Sequence, residues 1–260
     1  MGDAYPRTDG CMRRLIDLRR EPDGAVVGWL EDDFHHFGVT VEHDGQTISD
    51  VRVISARVPF STCPLAGSNL KGMIGQPLSA RSTDIGAMVN MREQCTHMFD
   101  LAGLAMAHAA AGREHRRYEA VILDRNIIAW EPGLRRLLGP GVAWLLRDGE
   151  EVLRWQIDKR EITAPAEWAG QSMVKSFRAR TEAMEIDEAE AATVLRRAIM
   201  ISSGRTLNPD RFNTARERGQ SGVCFTFLEE NRDEAFVVQG AAQNYEKRSE
   251  GMLSRIHERP

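Results

Sequence analysis

The stretch from Gly24 to Pro59 constrains the fold more than any other part of the chain. It is rich in Val, Ile and Thr, and its apolar residues alternate with polar ones, as in half-buried β-strands. An Asp-Gly pair, Asp44 and Gly45, interrupts this alternation and is a strong hairpin signal. The pattern predicts an antiparallel meander of three strands, at about 25–31, 35–43 and 47–57.

Two helical segments follow the meander. The first is predicted to begin at Ser61 or Thr62 and to end at Gly75, because a hydroxyl residue favours the N-cap and glycine the C-cap. The second lies within Asn90–Gly112 and begins near Cys95. It carries an apolar stripe at helical spacing, which consists of Met98, Leu101, Ala102 and Ala105.

The second half of the chain alternates between strand and helix patterns. "YEAVILD" and "VAWLLRDGEEVLRWQIDKREI" predict strands, and an Asp148-Gly149 turn joins the latter pair. "IDEAEAATVLRRAIMISSG" predicts a helix capped by Asp187 that ends at Gly204. "GVCFTFLEENRDEAFVVQGAA" predicts one or two further strands. The first twenty residues are polar and predict an irregular or partly helical arm.

Together these elements predict an α+β fold, in which an antiparallel meander packs with helices. We expect three regions along the chain. Residues 1–24 form the N-terminal arm, 25–114 form an α+β region with a candidate Cys/His site, and 115–260 form a second, smaller α+β region that completes or covers the site.

Composition narrows the classes of partner. The 260 residues carry a net charge of -4 with a pI of about 6.0, which argues against a nucleic-acid binder. The start has no apolar signal core, and no run approaches the roughly 18 apolar residues of a membrane span. We therefore expect a cytoplasmic protein with a small-molecule substrate and no nucleic-acid or membrane partner. A homodimer is the default expectation for its assembly.

Two cysteines are the first candidates for chemistry. Cys63 and Cys95 each stand at the predicted N-terminus of a helix, where the dipole favours a thiolate. A thiolate can bind a metal ion or attack an electrophile. The alternative is that both are small buried hydrophobic residues, which is common for free cysteine.

Histidines and carboxylates add to this set. His97 follows Cys95 by two residues. In "EDDFHHFG", strand alternation would place Asp33 and His35 on one face and His36 on the other. Nitrogen, sulfur and oxygen donors of this kind suit zinc or iron.

From this mixture we predict a metal site with an adjoining catalytic group. The predicted metal ligands are Cys63, Cys95, His35 and Asp33, with Asp32 as an open alternative. The predicted catalytic residues are His97, His36 and Arg92. Cys224, in an apolar run, is predicted to be a core residue.

An arginine cluster in the second half is a weaker candidate. Arg196, Arg197 and Arg205 surround Ser202 and Ser203. They could bind a carboxylate or phosphate, since arginine offers a forked donor. The alternative is that they pair with local acids.

Several of these motifs resemble the bacterial domain-of-unknown-function 2889 family. The resemblance rests on "GWLEDDFHHFGVTV", an R-x-P-x-x-x-C pattern in "ARVPFSTCPLAGSNLKGMIGQPL", the C-T-H of "REQCTHMFDLAGLA", and the later "CFTF". It implies a bacterial cytoplasmic protein and implies no particular activity.

Residues 28–112 also resemble the U-type iron–sulfur cluster scaffold proteins. Here "HDGQTISDV" is similar to their hairpin, and Cys63 and Cys95 match two of their three cysteines. "DDFHH" stands where the first scaffold cysteine would be, so a histidine or aspartate would replace it. The resemblance implies a scaffold-like fold adapted to another task.

The favoured function is a zinc- or iron-dependent enzyme acting on a small organic substrate, such as one that bears a carboxylate. A lyase, hydratase, decarboxylase or hydrolase would fit. The alternatives are an iron–sulfur or sulfur-handling module, a metal-free enzyme in which Cys95 is the nucleophile, and a binding protein with inert cysteines.

Overall fold

The computed structural model describes residues 5–132, 135–247 and 249–260. It has an α+β fold. The strands are β1 (Cys11–Arg20), β2 (Val26–Asp32), β3 (His36–His43), β4 (Ile48–Arg57), β5 (His115–Leu123), β6 (Ile127–Glu131), β7 (Arg135–Leu138), β8 (Gly141–Arg147), β9 (Glu150–Asp158) and β10 (Glu161–Ala164). The α-helices are α1 (Ile85–Met88), α2 (Thr96–Ala110), α3 (Phe177–Glu182) and α4 (Ile186–Ser202).

Short 3-10 helices complete the set of regular elements. They are Cys63–Met73, Ser82–Asp84, Met91–Glu93, Ser203–Thr206, Pro209–Arg211, Arg216–Arg218 and Phe225–Phe227.

The chain divides into two compact units, and both are discontinuous in sequence. The larger, here called the site unit, consists of 15–117, 210–243 and 251–260. The other, here called the second unit, consists of 1–14, 118–209 and 244–250. The three predicted regions, by contrast, are each continuous in sequence. The roles assigned to them, as an arm, a site region and a covering region, stay a prediction.

The predicted meander is the centre of the site unit. In this unit β1 lies beside β2, and β2, β3 and β4 are consecutive antiparallel neighbours. Their bounds agree closely with the predicted ones. The predicted Asp-Gly turn joins β3 to β4: Asp44 Oδ1 accepts hydrogen bonds from the amides of Gln46 and Thr47, and Gly45 has a φ of +97°.

The prediction of an irregular or helical arm is wrong for residues 11–20. These residues form β1, which lies between β5 and β2 and is almost entirely buried. The charges that made the segment look solvated have partners in the fold. Asp17, for example, lies 2.9 Å from His115 Nε2, and Arg19 donates to Glu21. A central strand can carry such charges when each one is paired.

Helix α2 packs on β2 and β3 and forms the core with them. Its predicted stripe is confirmed, since Met98, Leu101, Ala102 and Ala105 are all fully buried. The helix begins at Thr96, with Cys95 as its N-cap. The residues before it form a separate 3-10 turn that Asn90 caps by accepting a hydrogen bond from the Arg92 amide.

The predicted helix near 61–75 is a 3-10 helix rather than an α-helix. It spans Cys63–Met73 with Thr62 as its N-cap and a proline in its first turn. Gly75 follows it with a φ of +82°, which suits glycine at such a stop.

The second unit contains the order β10-β9-β8-β5, and α4 packs on β8 and β9. The predicted turn at Asp148 and Gly149 joins β8 to β9, and both residues have positive φ. The predicted helix is confirmed as α4, but its N-cap is Glu185 rather than Asp187, which lies in the first turn. The core of the second unit includes three aromatic residues, Trp155, Trp168 and Phe177, whose ring centroids lie 4.8–6.0 Å apart.

The prediction of regular strands within 222–242 is wrong. In place of a "CFTF" strand, Phe225–Phe227 is a 3-10 turn. Val237 and Phe236 form only isolated bridges, with Phe60 and Thr214 respectively. The apolar residues are nevertheless buried in part, in a small core cluster of Phe60, Cys63, Ala215, Phe227, Ala235 and Val237. Burial by a turn and burial by a strand give the same short apolar pattern.

Within the described ranges, the structure has no helix that is long and apolar enough to cross a membrane. No disulfide joins the four cysteines, all of which lie in those ranges.

Gly103 lets the backbone at Ser82 pack closely against α2. A Cβ at this position would meet the backbone carbonyl oxygen of Ser82. Alanine normally stabilises a helix by about 1 kcal/mol relative to glycine. Here we expect Gly103→Ala to lower the free energy of unfolding by about 1–3 kcal/mol, the usual cost of overpacking. Urea denaturation measures this, and an unchanged or raised stability would contradict the packing described for α2.

Candidate functional site

The turn between β2 and β3 is held by one carboxylate. Asp32 Oδ1 accepts hydrogen bonds from the backbone amides of Phe34 and His35, at 2.8 and 2.9 Å. The same oxygen lies 2.9 Å from His35 Nδ1. The Asp32 amide donates to the His35 carbonyl. Aspartate favours such turns because its short side chain reaches the backbone two residues on, so this turn fixes the His35 ring against a carboxylate.

Helix α2 places a second imidazole, that of His97, next to the His35 ring. His97 lies in the first turn of α2, and its ring stacks on that of His35 with centroids 3.6 Å apart and an interplanar angle of 25°. Phe37 lies beside both rings, with centroids 5.8 and 6.1 Å away. All of these residues belong to the site unit.

Asp32, His35 and His97 together form the candidate metal centre. Their potential ligand atoms all lie within 4.8 Å of one another. The three residues are 0%, 8% and 6% exposed, so the cluster is screened from bulk water. A buried carboxylate next to two imidazoles is a donor set that suits zinc or iron.

The thiol of Cys95 adjoins this centre. Its Sγ lies 3.8 Å from His97 Nδ1. Its neighbour Gln94 accepts a hydrogen bond from the Phe225 amide, which joins the segment before α2 to the turn that carries Cys224.

Cys63 lies in the same part of the site unit. Its Sγ is 3.5 Å from the hydroxyl of Thr226, which also lies 3.1 Å from the hydroxyl of Thr62. Cys63 belongs to the small core cluster, against which Cys224 packs. The structure therefore brings the two predicted cysteines and Cys224 into one region.

Burial makes all three thiols weak acids. It raises the pKa of the Cys63 thiol, and it raises the pKa of Cys95 well above its ordinary value, with the neighbouring Cys63 and Cys224 adding to the rise. The pKa of Cys224 is raised to about 11 by burial and by Cys63. A raised pKa disfavours the thiolate that a cysteine nucleophile needs.

His36 has a different environment from His35. Its Nδ1 lies 3.6 Å from Glu31 Oε2, and its ring packs edge-on against Trp29 at 5.2 Å. Burial lowers the pKa of His36, and the opposing charge of Glu31 only partly offsets this. The predicted catalytic role of His36 stays a prediction.

The remaining candidates are placed as follows. Asp33 is fully buried, and its carbonyl accepts hydrogen bonds from the Gln243 amide and from Arg57. Arg92 is exposed in the turn that precedes α2. In the second unit, Arg205 pairs with Asp124 through two hydrogen bonds of 2.6 and 2.8 Å, and Arg196 donates to the Met173 carbonyl. These contacts favour the structural alternative for the arginine cluster.

Asp32, rather than the predicted Asp33, is the carboxylate that contacts His35. Strand alternation selected Asp33 as the partner of His35. Residues 32–35, however, lie between the paired residues Glu31 and His36 and form a turn, where alternation does not apply. The signal that identifies Asp32 is its position as the first residue of that turn, where an aspartate side chain caps the following amides.

Fold and site together define an α+β protein with a buried cluster of one carboxylate and two imidazoles. Residues 3–111 match the family model described as "Protein of unknown function (DUF2889)". This part of the chain therefore belongs to that family, as the motifs within it predicted, and it contains all three residues of the cluster, whereas the "CFTF" motif lies outside the match. No curated protein matches the chain. The resemblance to the iron–sulfur scaffold proteins is not shown and stays a prediction.

The burial of the thiols predicts slow alkylation. At pH 8 a thiol of pKa about 11 is roughly 0.1% ionised, against about a quarter for an ordinary cysteine. With chelator present, we expect Cys63, Cys95 and Cys224 of the native protein to react with iodoacetamide about 100-fold more slowly than in guanidinium chloride, because burial raises the pKa of all three thiols. Peptide mapping by mass spectrometry assigns the rates. A Cys95 rate within a few-fold of the unfolded value would instead favour a cysteine nucleophile.

Proposed function

We propose that this protein is a metal-dependent enzyme that acts on a small organic substrate, with zinc or iron held by Asp32, His35 and His97. The observation that carries the proposal is the convergence of three buried donor residues within 4.8 Å. Burying a carboxylate costs free energy unless a hydrogen bond or a cation compensates it. Two backbone amides already offset part of this cost for Asp32, and a divalent ion would add to their effect while binding both imidazoles in their neutral form.

The number and type of donors favour a catalytic site over a structural one. Structural zinc sites are closed by four protein ligands, whereas catalytic sites have three and leave a position for substrate or water. Two histidines and one carboxylate are also the donor set of many non-haem iron enzymes. When bound, the ion would supply Lewis-acid polarisation of a substrate carbonyl or activation of water.

The contacts of each ring suggest which nitrogen faces the ion. Nδ1 of His35 lies against Asp32, and Nδ1 of His97 lies against Cys95. We therefore assign Nδ1 of His35, which faces the carboxylate, and Nε2 of His97 as ligand atoms, because an ion on His35 Nε2 would lie beyond the reach of Asp32. Ligating histidines commonly use the other ring nitrogen for an orienting hydrogen bond. Because the rings are stacked, at least one must turn for both nitrogens to point at one ion.

This assignment gives the neighbouring residues distinct roles. Cys95 orients the His97 ring through their 3.8 Å contact. Arg92 is an exposed cation close in sequence to α2, and we propose that it binds a substrate carboxylate. The reaction class remains that of a lyase, hydratase, decarboxylase or hydrolase. We place the enzyme in the cytoplasm and propose that it forms a homodimer.

A second candidate is a metal-free enzyme with a Cys95–His97 pair. The 3.8 Å contact between Sγ and Nδ1 supports it, because a base within reach can activate a thiol. The burial of Cys95 and its raised pKa argue against it. An iron–sulfur or sulfur-handling module is supported only by the gathering of Cys63, Cys95 and Cys224.

Metal binding tests the proposal with matched pairs of neighbouring residues. We expect chelator-treated protein to bind one Co²⁺ per chain. Asp32→Asn and His35→Gln should each weaken binding by more than about 100-fold, because even an outer-shell change costs 10- to 100-fold. Their neighbours Asp33→Asn and His36→Gln should change it far less. Competition titration measures the affinities, and circular dichroism confirms that each variant is folded.

Two results would contradict the proposal. The first is wild-type protein that binds no Co²⁺, Zn²⁺ or Fe²⁺ at micromolar concentration. The second is equal loss in both members of each pair, since this would attribute the effect to the turn rather than to the donors. Loss in Asp33→Asn and Cys63→Ser with retention in Asp32→Asn would support the ligand set predicted from sequence.

A further inference from the structure

We infer that Arg57 is a positioning residue of the candidate metal centre, which holds the turn that carries Asp32 and His35. The inference rests on the proposed metal function and adds to it a residue outside the donor set. Arg57 is the last residue of β4 and lies opposite His36 in the strand register. Its side chain therefore starts beside the turn and reaches across it.

The Arg57 guanidinium contacts the turn at three backbone carbonyls. Nη2 donates to the carbonyls of Asp32 at 2.6 Å and His35 at 3.4 Å, and Nη1 donates to that of Asp33 at 2.9 Å. Three of the four turn residues are thus held by one side chain. Asp32 and His35, which carry two of the proposed ligands, are both among them.

Two further contacts anchor the guanidinium itself. Nη2 lies 3.0 Å from Glu31 Oε1, and Nη1 donates to the Ala241 carbonyl at 3.0 Å. Glu31 is buried on β2, and Ala241 belongs to the segment that also donates to the Asp33 carbonyl through the Gln243 amide. Because strand β2 and the 241–243 segment fix Arg57 from two sides, its position is set independently of the ligands.

This geometry needs arginine rather than any cation. The guanidinium is planar and offers donors in a fixed fork, so it can serve several carbonyls in different directions. A lysine ammonium keeps the charge but presents its donors at a single point. Arg57→Lys should therefore keep the ion pair with Glu31 and lose some of the carbonyl contacts, which loosens the turn without removing a donor.

The test compares Arg57→Lys with a matched control. Arg125 is a buried arginine of the second unit that also donates to three backbone carbonyls, those of Gly139, Leu138 and Lys159. Arg125→Lys therefore reproduces the loss of a forked arginine outside the site unit. Co²⁺ affinity and the visible absorption spectrum of the Co²⁺ complex are measured for both variants, and thermal unfolding is followed with chelator present.

We expect Arg57→Lys to weaken Co²⁺ binding by about 10- to 100-fold, the usual effect of losing an outer-shell partner, and to shift the Co²⁺ spectrum. Arg125→Lys should bind within about two-fold of wild type. Arg57→Lys binding that equals wild type, or an equal loss in both variants, overturns the inference and leaves the proposed metal function standing. Wild-type protein that binds no metal overturns the metal function and with it this role of Arg57.

A measurement on the wild-type protein covers the case in which Arg57→Lys does not fold. If Arg57 holds the ligand turn, Zn²⁺ binding should tighten its hydrogen bonds. The guanidinium protons of Arg57 should then exchange with water more slowly after Zn²⁺ is added, as nuclear magnetic resonance can record. Unchanged exchange in protein that has bound Zn²⁺ overturns the inference.

Discussion

The arrangement of the candidate site depends on the hydrogen bonds that Asp32 Oδ1 makes within the β2–β3 turn. Through one oxygen, the carboxylate caps two backbone amides and orients the His35 ring. The turn also places the His35 ring where it stacks on the ring of His97, which lies in the first turn of α2. A local backbone requirement and a candidate chemical function therefore share one side chain.

The fold of the site unit was largely predictable because its signals are local. Alternation with an Asp-Gly turn gave β2, β3 and β4, and helical spacing gave the buried stripe of α2. β1 is hard to recognise because partners of its charges can be distant in sequence, as His115 is from Asp17. The "CFTF" segment was misread because a short apolar run fits a buried turn as well as a strand.

The sequence predicted which segments of the chain form the candidate site better than it predicted which side chains do so. The sequence identified "DDFHH" and the Cys-Thr-His motif, and the structure brings His35 and His97 together from these two stretches. The choice between Asp32 and Asp33 depends on where β2 ends, and a shift of one residue reverses a strand's faces. The role inferred for Arg57 depends on backbone carbonyls, which no side-chain pattern reveals.

The central claim is that nitrogen and oxygen donors, rather than sulfur, hold the metal. X-ray absorption spectroscopy of the zinc-loaded protein tests this most directly, because Zn–N and Zn–O distances of about 2.0–2.2 Å are resolved from Zn–S distances of about 2.3 Å. We expect a first shell of nitrogen and oxygen only, with the outer-shell scattering of two imidazole rings. A sulfur shell at about 2.3 Å would contradict the claim and assign the ion to Cys63 and Cys95.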